Sequence, residues 1–365
     1  MNNASILICA LALGCLQACA GHAIDLDQGA SSGPSGTDLV GVEVTQVPDL
    51  IAYLGADDAR VYWTTPKTPP SDAPISIARS CVFDQCNATR VSYGDMEPPL
   101  TIGEQDVFFF APMEPVSPGQ LGRLVGCPKA GCGAAPSEIF EDTARTESDA
   151  ADDRYFYWSS TFDIYRCLLT GCGEVPEVVA KGETTNSGLI VDGGTVFWTF
   201  SVDASDPSGE SEIHSAPKDG SRPPTLITHD VSLSPDAFAV DATKVYWVDG
   251  SSHVQSCPRT GCDGQAPVTL VTTDGAKQSL RVDATGLYWL EDLSSDRYDE
   301  VDRSIRFCPL TGCANDADVR VLTPSKVGQF AMSSKYLYWD EAWVLENNAH
   351  DYTNNKQIYR LTKPE

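Results

Sequence analysis

Apolar and polar positions alternate along most of this chain in runs of four to six residues. That is the two-residue period of β-strands, not the 3.6-residue period of helices. One stretch shows the unit clearly. "SLRVD" (279–283), "GLYWL" (286–290), "SIRFC" (304–308) and "VRVLT" (319–323) are four strand-like runs separated by turn residues. The unit recurs, and the second aromatic of its second run marks each copy: Trp63, Phe110, Trp158, Trp198, Trp247, Trp289 and Trp339, spaced 40 to 50 residues apart. The residue before each marker is also aromatic (Tyr62, Phe109, Tyr157, Phe197, Tyr246, Tyr288, Tyr338). Neighbouring strand residues point to opposite faces, so each copy asks for burial on both faces of its sheet. Sheets packed face to face around an axis meet that demand. Four-stranded repeats of this length predict an all-β fold, a seven-bladed β-propeller with antiparallel four-stranded blades. The seventh copy has only three strands, "QFAMS", "YLYWD" and "QIYRL". A spare run, "VGVEVTQV" (Val40–Val47), lies upstream of the first copy. The count predicts that this N-terminal strand completes the last blade and closes the ring, which would remove an exposed sheet edge.

Six residues before the marker stand Asp57, Glu104, Asp152, Asp192, Asp241, Asp283 and Ser333. A carboxylate there suits a tight turn, because it accepts from backbone N–H groups two residues on. At the end of the third strand come cysteine pairs five residues apart, around turns such as "PRTG": Cys81/Cys86, Cys127/Cys132, Cys167/Cys172, Cys257/Cys262 and Cys308/Cys313. In the fourth copy Ala216 and Ser221 replace both members together. Residues lost as a pair most simply bond to each other. Zinc would need four converging ligands, and the chain has five His in all. Five disulfides are expected, each closing a six-residue ring worth roughly 2 kcal/mol in the chain-entropy model. Their expected benefit is local, pinning a hairpin turn on the rim.

The first residues read differently. Ile6–Leu16 is an apolar run of signal-peptide length, too short to span a bilayer. It leads into "LQAC" (Leu16–Cys19), which resembles a bacterial lipobox. That resemblance implies a leader of residues 1–18 and an acylated Cys19; ordinary cleavage after Ala23 is the alternative. The leader carries no Lys or Arg. Residues 19–38 are rich in Gly, Ser, Ala and Asp and read as a flexible tether, with a single propeller domain over 39–365. Either cleavage implies export, to the outer membrane as a lipoprotein or to the periplasm or exterior, and export suits disulfides.

"VDATKVYWVD" (240–249) and "EIHSAPKDGSRPPTLIT" (212–228) resemble the Tyr-Trp-Thr-Asp repeats of low-density-lipoprotein-receptor β-propellers over about residues 49–365. The final Asp of that motif is matched at Asp249, with Glu291 and Glu341 at two other copies. Those receptor propellers have six blades, against seven copies here. The "CPxTGC" turn is similar to cysteine-bearing propeller repeats of exported proteins from predatory and social, myxobacterial-type bacteria. The resemblance implies a propeller and names no ligand.

The formal charge of −26 argues against nucleic acid or anionic lipid as a partner. Acidic residues gather where copies differ in length, between the second and third strands. The sixth copy carries Asp292, Asp296, Asp299, Glu300 and Asp302 there, and the seventh Asp340, Glu346 and Asp351 with Trp343. Asp292, Asp296, Asp299, Glu300, Asp340 and Trp343 are the expected binding face, for a protein or carbohydrate ligand. Oxygen-rich loops also fit Ca²⁺, though no EF-hand spacing occurs. No "GxSxG" or "HExxH" is present, and no catalytic residue or obligatory cofactor is assigned. The first expectation is a non-enzymatic, lipid-anchored propeller presenting an acidic face. The alternatives are a hydrolase or lyase with a carboxylate- or Ca²⁺-based central site, and a purely structural envelope protein.

Overall fold

Antiparallel strands make up 63% of the described residues and helix 4%. The computed structural model describes residues 41–364, apart from 48–49, 68–74, 113–122, 134, 142–147, 161–162, 174, 183–184, 202–210, 232–237, 263, 273–274, 294–301, 325 and 342–355. The sixth copy forms the strands Ala276–Val282, Gly286–Asp292, Arg303–Pro309 and Arg320–Val321, close to the runs read from its sequence. Copies three, four and five form equivalent four-stranded sheets. Copies one and two share the long strand Val91–Ile102, which merges them into one seven-stranded sheet. The last sheet draws on both ends of the described chain. Val327–Met332, Tyr336–Glu341 and Lys356–Thr362 are joined by Val42–Val47, with Val42 opposite Arg360 and Val47 opposite Lys356.

The paired aromatics explain how the sheets stack. Trp63 packs with Tyr338 and Ile358 of the seventh copy, while its neighbour Tyr62 packs with Val107 and Val125 of the second. The same division recurs at Trp289, which faces the fifth copy, and Tyr288, which faces the seventh. All four rings are essentially inaccessible to water. Each ring removes roughly 150–250 Å² from water, on the order of 4–6 kcal/mol before entropy is counted. The first strands of copies one to six touch one another in turn, Val327–Met332 touches the second and third strands of the sixth copy, and Tyr53–Ala56 also touches Val327–Met332.

The turn Asp does more than shape its turn. Asp57 Oδ1 accepts from the backbone N–H groups of Ala59 and Arg60 at 2.8 and 2.7 Å. Its Oδ2 accepts from the Tyr62 hydroxyl at 2.7 Å and from Lys129 Nζ of the next copy at 2.7 Å. Asp152 repeats the set with Arg154, Tyr155, Tyr157 and Lys218. Arg259 reaches Asp192, and Lys363 reaches Asp283. Four junctions between consecutive copies therefore carry a cation-to-carboxylate clasp. At the junction of copies two and three the whole set is gone: Glu104, Phe109 and Leu169 stand in its positions. Between copies seven and one, Ser333 replaces the Asp and Phe83 replaces the cation. There Phe83 stacks on Tyr338 with ring centroids 5.0 Å apart.

The cysteines are bridged as nearest pairs: Cys81–Cys86, Cys127–Cys132, Cys167–Cys172, Cys257–Cys262 and Cys308–Cys313. All five bridges lie at the same end of the sheets as the clasps. Two expectations about them need correction. First, Cys86 does not follow a tight turn. The first copy has a short 3-10 helix, Phe83–Gln85, and Cys86 opens the helix Cys86–Thr89. The physical reason is local sequence. "FDQC" lacks the glycine that lets the other turns close, as Gly261 N does on Pro258 O at 2.9 Å.

Second, the benefit is not merely local, because the second cysteine of a pair faces the preceding copy. Cys86 is buried with Val47 and Ile358 of the seventh copy's sheet. Cys132 packs against the cluster holding Tyr93 of the first copy, with its Sγ 3.5 Å from the Tyr93 carbonyl oxygen. Cys262 packs against the cluster holding Ile227 and Val231 of the fourth copy. The backbone joins in: Cys313 N donates to Leu270 O of the preceding copy at 2.7 Å, and Cys172 N to Ile139 O at 3.4 Å. The reason is geometric. The chain leaves the third strand on the side of the neighbouring sheet, so closing the ring presses its far cysteine onto that sheet. Gly220 shows the fit required. Its φ is +65°, and a Cβ would lie 2.8 Å from the Val178 carbonyl oxygen. So the turn docks on the outer strand of the sheet before it, in the disulfide-free fourth copy too.

The clasp yields a prediction. Lys218→Met should lower stability at neutral pH by about 0.5–1.5 kcal/mol, the range for a half-buried charged hydrogen bond. Burial pushes the Asp152 carboxyl up, but its bonds to Lys218, Tyr155, Arg154 and Tyr157 outweigh that and hold its pKa below 3.8. A depressed folded pKa gives stability that is present above the unfolded value and lost as pH falls through the folded one. The cost of Lys218→Met in denaturant melts should therefore shrink as pH falls below 3.8 and the carboxylate takes up its proton. In a double-mutant cycle with Asp152→Asn, the two changes should be less than additive.

Candidate functional site

Antiparallel order gives every sheet two unlike ends. Turns joining strands one to two and three to four lie at the end with the clasps and disulfides. Connections joining strands two to three, and one copy to the next, lie at the other. The expected acidic face belongs to this loop end. Of its residues, Asp296, Asp299, Glu300 and Trp343 lie outside the described residues. Asp292 is at the loop end, paired with Arg303 at 3.3 Å. Its neighbour Glu291 is buried, with Arg306 Nε at 3.0 Å and Lys277 Nζ at 3.7 Å. The base of the sixth loop is thus charge-balanced rather than purely acidic.

Asp340 does not belong to an exposed face. It is 2% exposed, and its Oδ1 accepts from Gln329 N at 2.6 Å. The physical reason lies in strand alternation: Asp340 shares a sheet face with Tyr338, the face packed against the first copy. A neighbouring glycine leaves room for it, since a Cβ on Gly328 would come 2.9 Å from Oδ1. The Gln329 amide it helps position bonds Leu54 N and Ala52 O of the first copy.

A second polar group at the loop end is one that the sequence alone does not assemble. Glu212 sits between two imidazoles, with His214 Nε2 at 2.8 Å and His229 Nδ1 at 2.7 Å. His214 stacks on Phe200 at 4.9 Å between ring centres. The available signal is the "EIH" triplet, which puts Glu212 and His214 on one face of a strand. His229 arrives only through pairing with the fourth strand. Among the described residues, no group of three or more His, Cys, Asp or Glu is placed to hold a metal ion.

The inner strands test for a central site. Nine residues before each marker stand Leu54, Thr101, Asp149, Leu189, Phe238, Leu280 and Phe330. Five of the seven are apolar and buried. The two polar ones are adjacent and bonded to each other, Thr101 Oγ1 donating to Asp149 Oδ1. Asp149 Oδ2 is buried and has no hydrogen-bond partner. Burial pushes this carboxyl up to about 6, against the smaller opposing effect of Thr101. The layer provides one carboxylate, not the pair that acid–base hydrolysis of a glycoside needs. Eight residues before the marker, Gly55, Ile102, Ala150, Ile190, Ala239 and Ala331 are again small or apolar, with Arg281 the exception.

Comparison with known proteins supports the architecture alone. No family model and no curated protein matches the chain. Among solved structures it is similar to the β-propeller domain of the Trilobed protease from Pyrococcus furiosus, with TM-score 0.57, 9% identity, and 87% of this chain and 94% of that one covered. It is also similar to BamB from Moraxella catarrhalis, with TM-score 0.51, 12% identity and coverages of 93% and 96%. A third is the acylaminoacyl peptidase of Pyrococcus horikoshii, with TM-score 0.55, 11% identity, and 81% of this chain but 49% of that one covered. The chain is a β-propeller. At these identities the likeness carries no activity across.

Asp149 gives a prediction with the opposite pH sign to the clasps. A raised folded pKa means the native state keeps a proton that the unfolded chain has released, so stability falls as pH rises from about 4 to about 6. Asp149→Leu restores the residue found at three equivalent positions. It should stabilise the protein by about 1–2 kcal/mol at pH 7.5 and by clearly less at pH 4.5. Denaturant melts at both pH values check this. A pH-independent difference would mean the carboxylate is not desolvated.

Proposed function

We propose that this protein is a non-enzymatic, exported binding module: a seven-bladed propeller, closed by its N-terminal strand, that presents its loop end to a partner. The observation that carries this reading is the contrast between the two ends. At the turn end, consecutive copies are tied by ions, rings or docked disulfide turns. At the loop end, the segment between second and third strands changes length from copy to copy and gathers carboxylates. Pairing of Val42–Val47 with Lys356–Thr362, and the contacts of the first copy with the seventh, support closure. The apolar inner layer favours a filled centre over a carboxylate- or Ca²⁺-based hydrolase or lyase.

The ligand that fits best is a protein with excess positive charge, or a cation held by loop oxygens. Trp343 is an aromatic anchor able to stack on a side chain or a sugar. Acylated Cys19 followed by a tether would hold the domain at a membrane by its lipid alone, in the outer membrane of a bacterial envelope. Nucleic acid is disfavoured by charge. A purely structural envelope role would not need the length variation of the loops.

Two experiments test this reading. Changing Asp292, Asp296, Asp299 and Glu300 to their amides should reduce recovery of a basic partner from envelope extract at low salt by severalfold. The difference should vanish at high salt. Calorimetry with Ca²⁺ on both proteins separates cation binding from partner binding. If neither quantity changes, the loops are solvated surface only. Cys19→Ala should shift the protein from the membrane to the soluble fraction, and unchanged fractionation would remove the lipid anchor from the proposal.

A further inference from the structure

The direction of the closing strand sets the end of the sheets at which the chain upstream of it enters. Val42 stands opposite Arg360, near Thr362, and Thr362 stands opposite Tyr336, just past the turn at Ser333. Arg360 also reaches Asp84, in the disulfide turn of the first copy. So the upstream end of Val42–Val47 is at the turn end of the sheets. Its downstream end, Val47 opposite Lys356, is at the loop end. The chain that precedes Val42 enters the domain among the clasps and disulfides.

We infer that the protein is held by its turn face, so that its loop face is the one turned away from the surface to which it is attached. This rests on the reading of the loop face as the binding face, and it adds the partner's approach: from the aqueous side or from an opposing surface, not along the anchoring surface. The chemistry of the turn face agrees. Its carboxylates Asp57, Asp152, Asp192 and Asp283 are engaged by cations of the neighbouring copies, and its backbone is pinned by five disulfides.

Attachment of the exported full chain through a biotin acceptor sequence placed between Ala30 and Ser31 tests this without any partner and without the lipid. With Cys19→Ala removing the one thiol of the mature chain outside the disulfides, single cysteines would be introduced at exposed turn-face positions (Ala242→Cys, Ala284→Cys) and loop-face positions (Ser251→Cys, Leu293→Cys). Each is labelled with a 20-kDa maleimide polymer, in solution and on a streptavidin surface. The expected result is that immobilisation slows turn-face labelling severalfold and leaves loop-face labelling nearly unchanged. Equal slowing at both faces, or greater slowing at the loop face, would overturn the inference. Two positions per face, each with a thermal melt matching the parent, exclude a misfolded variant. Because no partner is involved, failure here is separable from failure of the binding reading, which the amide variants test.

Discussion

In the first and third copies one carboxylate does three jobs at once, and the junction of each with the following copy depends on it. At Asp57 and Asp152 a single side chain closes the turn through two backbone amides, takes the hydroxyl of the buried aromatic, and accepts a cation from the following copy. The tyrosine could not be buried as favourably without that acceptor, because a phenol with no partner loses its hydration for nothing. The lysine could not be brought to a half-buried site without the charge. Local turn, sheet-to-sheet packing and junction are thus coupled through two oxygen atoms. Between copies two and three the coupling is absent as a set, whereas Asp241 keeps its turn and the Tyr246 hydroxyl with Leu310 in the cation position. Glu104, Phe109 and Leu169 are mutually consistent, since a ring without a hydroxyl and a leucine without a charge ask nothing of a carboxylate.

Much of this is legible in the sequence because a repeat supplies its own comparison. The adjacent aromatics in seven copies require burial on both sheet faces, and Tyr62 and Trp63 are buried against different neighbours. The cysteine pairs announce themselves by disappearing together at Ala216 and Ser221. What pairing by spacing does not reveal is the surface each far cysteine meets. Cys86, Cys132 and Cys262 lie against the preceding copy, and only the stacking of sheets brings that copy into reach. The turn role of the Asp is legible in the same way, while its partners in the next copy are not. Lys129, Lys218 and Arg259 each follow a proline in the disulfide-turn position, so the pattern is visible. Knowing that it crosses to the preceding sheet needs the geometry of adjoining sheets. Asp340 fails for a different reason. Counting carboxylates in a loop ignores which strand face each occupies, and the residue after a marker Trp lies on the packed side. Glu212 and His214 share a strand face, but His229 meets them only through strand pairing.

The asymmetry between the two ends follows from where freedom remains. A first turn that must place a carboxylate for the neighbouring copy, and a second that must dock a glycine on an outer strand or close a six-residue disulfide ring, have almost no tolerance for insertion. Nine residues can be added between the second and third strands of the sixth copy, relative to the fifth, with the strand register of its scaffold preserved. The sixth copy even anchors its longer loop, with Arg303 on Asp292 and Arg306 with Lys277 on Glu291. A buried, paired charge at the loop's root adds little net stability, since hydrophobic replacements often do as well. It does fix where the loop leaves the sheet. That is the arrangement expected when the root must be rigid and the tip must vary, and it places the capacity for recognition at the end of the domain farthest from the point where the chain enters.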